Sequence, residues 1–149
     1  TGFRLVFFQS DVTDSYDEFF EDAILIGIMT SHKSYKFCLR LNKILSFNFR
    51  LNTDIVIEMK KKKRTYHFPV YQSDVRHSQI KHYLYDNRND GEVLLPEFKN
   101  IDFIWLIKGD INYYKQLQEL LQIINSMDGI QLATEIPHTE LPNREYLIF

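Results

Sequence analysis

Two segments that lie far apart in the chain are apolar on both faces, and this feature constrains the fold most. Residues 23–29 read AILIGIM, and residues 101–108 read IDFIWLIK, in which both the odd and the even positions are largely apolar. A strand of this kind belongs in the middle of a sheet that is covered on both sides. We therefore predict that both segments are central strands.

Each central strand is followed by a segment with the spacing of an amphipathic helix. Thr30 or Ser31 can cap the first helix, and Gly129 can end the second, which spans about four turns. The apolar positions of the first helix are Phe37, Cys38, Leu41, Ile44 and Leu45. Those of the second are Tyr113 or Tyr114, Leu117, Leu120, Leu121 and Ile124. A last strand at residues 130–136 completes a strand–helix–strand unit, which predicts a right-handed crossover.

The middle of the chain alternates apolar and polar residues, which is the periodicity of strands with one buried face. Residues 47–52, 55–59 and 66–71 show it, and together with residues 80–85 they predict a mainly antiparallel meander. Pro69 gives a ladder no N–H, so we expect an edge position or a bulge there. The apolar run Leu5 to Phe8 predicts one further, short strand.

These patterns predict one globular domain, residues 1–149, of the α+β class. The expected architecture is a two-layer sandwich, with a mostly antiparallel sheet of about five to seven strands and two main helices on one face. The composition agrees, because 44% of the residues are hydrophobic and the chain has only 5 Gly and 4 Pro. Disordered chains have the opposite composition.

Charge, cysteine content and hydropathy exclude several classes of function. The chain has 18 basic and 20 acidic residues, so no net field attracts nucleic acid or an anionic membrane. The single cysteine allows neither an internal disulfide nor a multi-cysteine zinc site, and no apolar stretch reaches the roughly 18 to 20 residues of a membrane span. We expect a cytoplasmic protein with no membrane contact. The chain begins at Thr1, so residues before it and a removed leader both stay open.

The cysteine and the histidines offer little chemistry. Cys38 lies on the apolar stripe of the first helix, so we interpret it as a core residue rather than a nucleophile. None of the histidines has the paired spacing of a zinc site; they are His32, His67, His77, His82 and His138. We interpret His77 and His82, with Asp74 and Asp86 nearby, as polar positions on a solvent-facing strand and loop. With no glycine-rich phosphate loop either, we expect no metal and no cofactor.

A run of five cations separates two of the predicted strands. It consists of Lys60, Lys61, Lys62, Lys63 and Arg64. Five like charges repel one another in a core, so the run predicts a hairpin tip. With Tyr66 and Tyr71 nearby, this tip is the candidate RNA contact, because lysines neutralise phosphates and aromatic rings stack on bases. The alternative is a solvated turn that discourages pairing between sheet edges.

The stretch LLPEFKNIDF, residues 94–103, places two isolated acids in an otherwise apolar segment. Glu97 and Asp102 could form a general acid/base pair, which needs two carboxylates in different environments near one substrate. The local sequence favours a structural interpretation. Pro96 suits the first position of a helical turn, Phe98 and Ile101 can turn inward, and Asp102 can accept backbone N–H groups or pair with an arginine.

The C-terminal segment supplies a candidate partner for these acids. Asn143-Arg144-Glu145 precedes the apolar end Tyr146 to Phe149. We expect this tail to dock against the body of the domain, with Arg144 as the partner of Asp102 or Glu97.

The same motif resembles the signature of a bacterial family that is named for it, IPExxxVDY. Pro96, Glu97 and Asp102 match the signature, whereas Leu95, Ile101 and Phe103 replace Ile, Val and Tyr. Phe103 lacks the tyrosine hydroxyl, so a role for that hydroxyl does not carry over.

The resemblance extends along most of the chain. Residues 23–45 are similar to the family's early strand and helix, IWLIKGD is similar to the family's segment just after the signature, and NREYLIF is similar to its C-terminal ending. The resemblance implies a small, single-domain, intracellular protein, and the function of the family is uncharacterised.

We expect a non-enzymatic protein-interaction module that binds a protein partner or forms a homo-oligomer. No catalytic constellation is present, and with 9 Tyr and 12 Phe some aromatic rings should stay exposed at an interface. One alternative is RNA association through the basic tip. Another is an enzyme built on Glu97, Asp102 and one of the histidines.

Overall fold

A computed structural model describes residues 18–110 and 115–149. The two helices predicted from the sequence are α1 (Ser34–Leu45) and α2 (Leu117–Asn125). The strands are β1 (Ala23–Thr30), β2 (Arg50–Leu51), β3 (Ile57–Lys61), β4 (Arg64–Phe68), β5 (Val70–Asp74), β6 (Lys81–Asp86), β7 (Arg88–Asn89), β8 (Glu92–Val93), β9 (Phe103–Lys108) and β10 (Ile130–Ile136). The strand predicted at Leu5 to Phe8 and the helix start predicted at Tyr113 or Tyr114 lie outside the described residues.

The main sheet has six strands in the order β10-β1-β9-β6-β5-β2, and every neighbouring pair is antiparallel. The segments with two apolar faces, β1 and β9, lie side by side in its interior, as predicted. Because β9 and β10 both run antiparallel to β1, they are parallel to each other, and α2 connects them across β1. The predicted α+β class with an antiparallel sheet is confirmed.

Both helices pack on one face of this sheet and form what we call the helix-side core. Its buried residues from the sheet alternate along each strand with residues that face the other way, as the pleat requires. The main members of the helix-side core are Ile26, Ile28, Phe37, Cys38, Leu41, Leu84, Phe103, Trp105, Ile107, Leu120 and Ile124. This is the helix layer that the sequence predicts.

The opposite face of the sheet is also covered, which explains why β1 and β9 are apolar on both faces. The β3–β4 hairpin, the motif segment and the C-terminal residues lie over it and form the hairpin-side core. Its main members are Leu25, Ile57, Met59, Tyr66, Phe68, Tyr83, Tyr85, Leu94, Leu95, Ile101, Ile104, Leu106, Leu141 and Leu147.

Two residues that are unusual in strands, a proline and a glycine, shape this second layer. Pro69 separates β4, which belongs to the covering hairpin, from β5, which belongs to the main sheet, so it marks a change of sheet instead of the edge or bulge that we expected. Gly27 lies in the middle of β1, where a Cβ atom would come within 2.5 Å of Ile136 Cδ1 and 3.0 Å of Ile101 Cδ1. Glycine therefore lets Ile101 pack directly onto the sheet.

Candidate functional site

The motif segment has the shape that its sequence predicts. Residues Pro96–Phe98 form a single turn of 3-10 helix with proline at its start. Leu95 is fully buried before this turn, Ile101 is 6% exposed after it, and Phe98 packs against the same core. The segment is therefore a proline-started turn that anchors itself in the hairpin-side core and leads into β9.

Asn87, which the sequence analysis did not single out, holds this segment in place. Its side chain is fully buried and donates to the carbonyls of Phe98 (3.0 Å) and Ile101 (2.8 Å). Its amide oxygen accepts from the Leu95 N–H at 2.8 Å, and its own carbonyl accepts from the Leu94 N–H at 2.8 Å. One amide thus replaces the regular ladder that the irregular motif backbone lacks. Its place in the polar cluster DNRNDG gave no sign of this burial.

Asp102 ties the beginning of β9 to the end of β1. Its Oδ2 accepts the Thr30 backbone N–H at 2.9 Å, and its Oδ1 accepts from Arg88 Nε at 3.2 Å. The predicted roles of this carboxylate, accepting a backbone N–H and pairing with an arginine, are both present. The arginine is Arg88, which also donates to the Lys99 carbonyl and so closes the motif loop.

Glu97 binds the C-terminal segment. Its two carboxylate oxygens accept from the backbone N–H (3.3 Å) and the side-chain amide (2.8 Å) of Asn143. The tail docks as predicted, because Leu147 is fully buried and its carbonyl accepts the Tyr85 hydroxyl at 2.7 Å. The prediction that Arg144 pairs with an acid of the motif is wrong. Arg144 donates to the Leu141 carbonyl at 3.2 Å, and no ion pair within residues 18–110 and 115–149 joins it to either acid.

The two motif acids therefore hydrogen-bond to two different parts of the chain. Glu97 holds the C-terminal segment and Asp102 holds the end of β1, each through partners that the other does not share. An acid/base pair needs both carboxylates directed at one substrate. In the described structure, the hydrogen bonds of the two carboxylates connect the motif to two different segments, the end of β1 and the C-terminal residues.

The basic run is a hairpin tip, as predicted, and part of its charge is neutralised within the molecule. Lys62 and Lys63 form the turn between β3 and β4. Lys61 pairs with Glu92 (3.2 Å) and Arg64 pairs with Asp90, both from the neighbouring β7–β8 hairpin. Tyr66, the other candidate RNA contact, is 8% exposed, with the Arg64 guanidinium 5.0 Å from its ring centroid. Its ring face is not open to a base.

The outer face of α1 is the most apolar exposed helix surface in the described chain. Its large hydrophobic side chains are Tyr35 (66% exposed), Leu39 (63%) and Ile44 (49%). We placed both Ile44 and Leu45 on the buried stripe; Leu45 packs against the helix-side core, whereas the prediction for Ile44 is wrong. A shallow groove of about 440 Å³ on this face is lined by Lys36, Leu39, Arg40, Lys43 and Ile44. One sequence signal could have located this groove: Leu39 is an apolar residue that does not belong to the predicted buried stripe of α1.

Cys38 and His82 are both buried in the helix-side layer. Burial raises the pKa of the Cys38 thiol to about 12, so it is not a nucleophile at neutral pH, as interpreted from the sequence. His82 is 1% exposed, which corrects the expectation of a solvent-facing position. Its Nδ1 accepts the Trp105 indole N–H at 3.0 Å. Within the described ranges, no group of three or more His, Cys, Asp or Glu side chains could hold a metal ion.

No protein-family model matches the chain, and no curated protein matches it. The resemblance to the IPExxxVDY family stays a prediction. In the part of the chain that the structure describes, no helix is long and apolar enough to cross a membrane.

Proposed function

We propose that this protein is a non-enzymatic interaction module that binds a protein partner through the outer face of α1. The observation that carries the proposal is the exposure of Leu39 and Ile44 at one groove of a well-packed domain, with the exposed Tyr35 one helical turn before Leu39. Single exposed apolar residues are ordinary, but neighbouring ones on a groove mark interaction surfaces. On the inner face of the same helix, Phe37 and Leu41 are fully buried in the core. The outer residues are therefore not needed for folding.

A double variant on this face tests the proposal. Leu39→Ser/Ile44→Ser removes the two aliphatic side chains from the groove, and we expect it to lose the proteins that the wild type retains from native lysate. Val56→Ser is the matched control, because Val56 is 60% exposed and lies outside the groove. Retained proteins are identified by mass spectrometry, and light scattering reports whether a second copy is the partner. The same retained set on wild type and double variant contradicts the proposal.

The non-enzymatic part of the proposal rests on the separate partners of Glu97 and Asp102. We expect Glu97→Gln and Asp102→Asn each to lower the free energy of unfolding by about 1 kcal/mol, because hydrogen bonds to charged groups become weaker or mismatched. Glu135→Gln, at an exposed position, should change it little. Urea denaturation measures all three. Unchanged stability together with lost partner binding would instead identify the acids as part of a binding site.

The RNA alternative has less support. Two of the five cations of the tip are paired with acids, and Tyr66 is buried. RNA binding through Lys60, Lys62 and Lys63 would weaken steeply with salt, because it releases counterions. Filter binding of single-stranded and duplex RNA at low salt tests this alternative, and we expect no binding that Lys60→Ala/Lys62→Ala/Lys63→Ala removes.

A further inference from the structure

We infer that the partner segment bound by the outer face of α1 is acidic and amphipathic, with carboxylates and aliphatic side chains on the face that it presents. This inference rests on the proposed function and names the chemistry of its partner. The cations Lys36, Arg40 and Lys43 line the groove together with Leu39 and Ile44. No residue of α1 is acidic. The surface therefore combines exposed aliphatic side chains with positive charges only.

None of the three cations Lys36, Arg40 and Lys43 forms an ion pair with a residue that the structure describes. Lys61 and Arg64 of the hairpin tip, by contrast, are both paired. The chain as a whole is slightly acidic, with a net charge of −2. Positive potential at this groove is thus a local property of α1, and it complements a negative partner.

The spacing of the groove residues indicates how such a partner would bind. Positions 36, 39, 40, 43 and 44 follow the i, i+3, i+4, i+7, i+8 pattern of one helix face, so their side chains are neighbours. Leu39 and Ile44 are five positions apart, so they lie on opposite sides of this face, with Lys36, Arg40 and Lys43 between them. Aliphatic side chains of the partner would contact Leu39 and Ile44, while its carboxylates would reach the ammonium and guanidinium groups that lie between these two residues.

A protein segment fits this surface better than an anionic membrane. Helices that lie in a membrane bury a wide apolar face in the lipid. In α1 that face carries Phe37 and Leu41, which are both 0% exposed because they pack in the helix-side core. The outer face offers only two aliphatic residues at the groove, Leu39 and Ile44, which the cations separate.

A selection from a random-peptide library tests the inference without assuming a partner sequence. The intact domain is immobilised, and bound peptides are sequenced and measured by fluorescence anisotropy. We expect enriched peptides with net negative charge and aliphatic residues. Lys36→Glu/Arg40→Glu/Lys43→Glu should weaken their binding at least about tenfold at low salt, since charge reversal across an interface makes like charges face one another. Lys60→Glu/Lys62→Glu/Lys63→Glu is the matched control, because it makes the same charge change on the hairpin tip.

The outcomes separate this inference from the proposed function. Two results would contradict the acidic partner and leave the proposed interaction module supported. In one, the selected peptides lose binding to Leu39→Ser/Ile44→Ser but carry no excess of acidic residues; in the other, they bind the charge-reversed variant as tightly as wild type. If the selected peptides bind Leu39→Ser/Ile44→Ser as tightly as wild type, or if no peptide is enriched, the results contradict both the acidic partner and the proposed function. Weaker binding of wild type at higher salt supports the inference even if the charge-reversed variant unfolds. Co-sedimentation with phosphatidylserine vesicles that depends on Leu39 would replace the protein partner with a membrane.

Discussion

Asn87 shows at the residue scale how one polar side chain can organise an irregular segment. It is fully buried, and its amide satisfies the Phe98 and Ile101 carbonyls and the Leu95 N–H. Without it, the Ile101 carbonyl and the Leu95 N–H would lose this partner away from water, which costs more than the bonds themselves contribute, whereas the Phe98 carbonyl would keep the Ile101 N–H at 3.1 Å.

We predict that Asn87→Ala lowers the free energy of unfolding by about 3 kcal/mol, because several buried backbone groups lose their partner. Urea denaturation measures the change. Asn100→Ala is the control, since Asn100 is exposed in the same loop and should tolerate the substitution. Equal effects of the two substitutions would show that Asn87 does not hold the motif segment.

A buried histidine and a partly buried aspartate act on stability in opposite directions as the pH falls. Burial lowers the pKa of His82 from 6.5 to about 4, so its contribution to stability is present above pH 6.5 and is lost as the pH falls toward 4. Burial raises the pKa of Asp86 from 3.8 to about 6, an effect that a hydrogen bond with the Ser34 side chain partly offsets. The contribution of Asp86 is present below pH 3.8 and is lost as the pH rises through 6. The two effects oppose each other between about pH 4 and pH 6.

Single substitutions should reveal the two contributions separately. From pH 7 to pH 4, we expect the stability advantage of wild type over His82→Gln to shrink by about 3 kcal/mol. Over the same range, the free energy of unfolding of wild type should rise by about 2 kcal/mol relative to that of Asp86→Asn. This value is smaller than the full pKa shift implies, because the carboxyl is partly exposed to solvent. Urea denaturation at both pH values measures the differences. Differences that do not vary with pH would contradict the assigned burial effects.

At the scale of elements, the tip of the β3–β4 hairpin is held in a conformation that its residues do not favour. Lys62 and Lys63 have φ angles of 53° and 61°, in the left-handed region. Two-residue hairpin turns with both φ angles positive favour Asn-Gly, and lysine has a steric cost there. The hairpin keeps this turn because Ile57, Met59 and Phe68 are buried against the main sheet.

We predict that Lys62→Asn/Lys63→Gly stabilises the protein by about 1 kcal/mol, because these residues adopt the turn with less strain. The melting temperature measures the gain. Lys62→Ala/Lys63→Ala removes the same two charges but leaves residues with a Cβ, so it separates strain from charge repulsion. A gain of equal size in the alanine variant would assign the effect to charge.

At the scale of the whole molecule, Asn125 covers an open edge of the main sheet. Strand β10 pairs with β1 on one side only, and the other side carries the Ala133 N–H and carbonyl. The Asn125 side chain bonds both, at 2.8 Å from the N–H and 2.9 Å from the carbonyl, as a residue of a further strand would. An uncovered edge of this kind pairs readily with another chain.

Removal of this cover should therefore promote association. We expect Asn125→Ala to form concentration-dependent oligomers beyond those of wild type, whereas Gln122→Ala, at an exposed position on the same helix, should not. Sedimentation velocity across a range of concentrations measures the difference. Identical behaviour of both variants would show that the rest of the molecule protects this edge.

The parts of the fold that were predictable from sequence are those that depend on local periodicity. Residues 23–29 and 101–108 are apolar on both faces, and they form neighbouring central strands. The basic run had to lie outside a core, and Pro96 had to begin a turn. In each case the pattern is complete within about ten residues, which is the range over which strand and helix periods are expressed.

The class of fold, the two central strands and the proline-started turn of LLPEFKNIDF follow from local sequence patterns. The contacts of Asp102 with Arg88 and Thr30, the contact of Glu97 with Asn143 and not Arg144, and the exposure of Ile44 depend on the three-dimensional packing. Thr30 and Asp102 are 72 residues apart, and Asn143 and Glu97 are 46 apart. A pattern of neighbours along the chain defines which face of an element is buried. Which partner lies across that face depends on the packing of segments that the pattern does not connect.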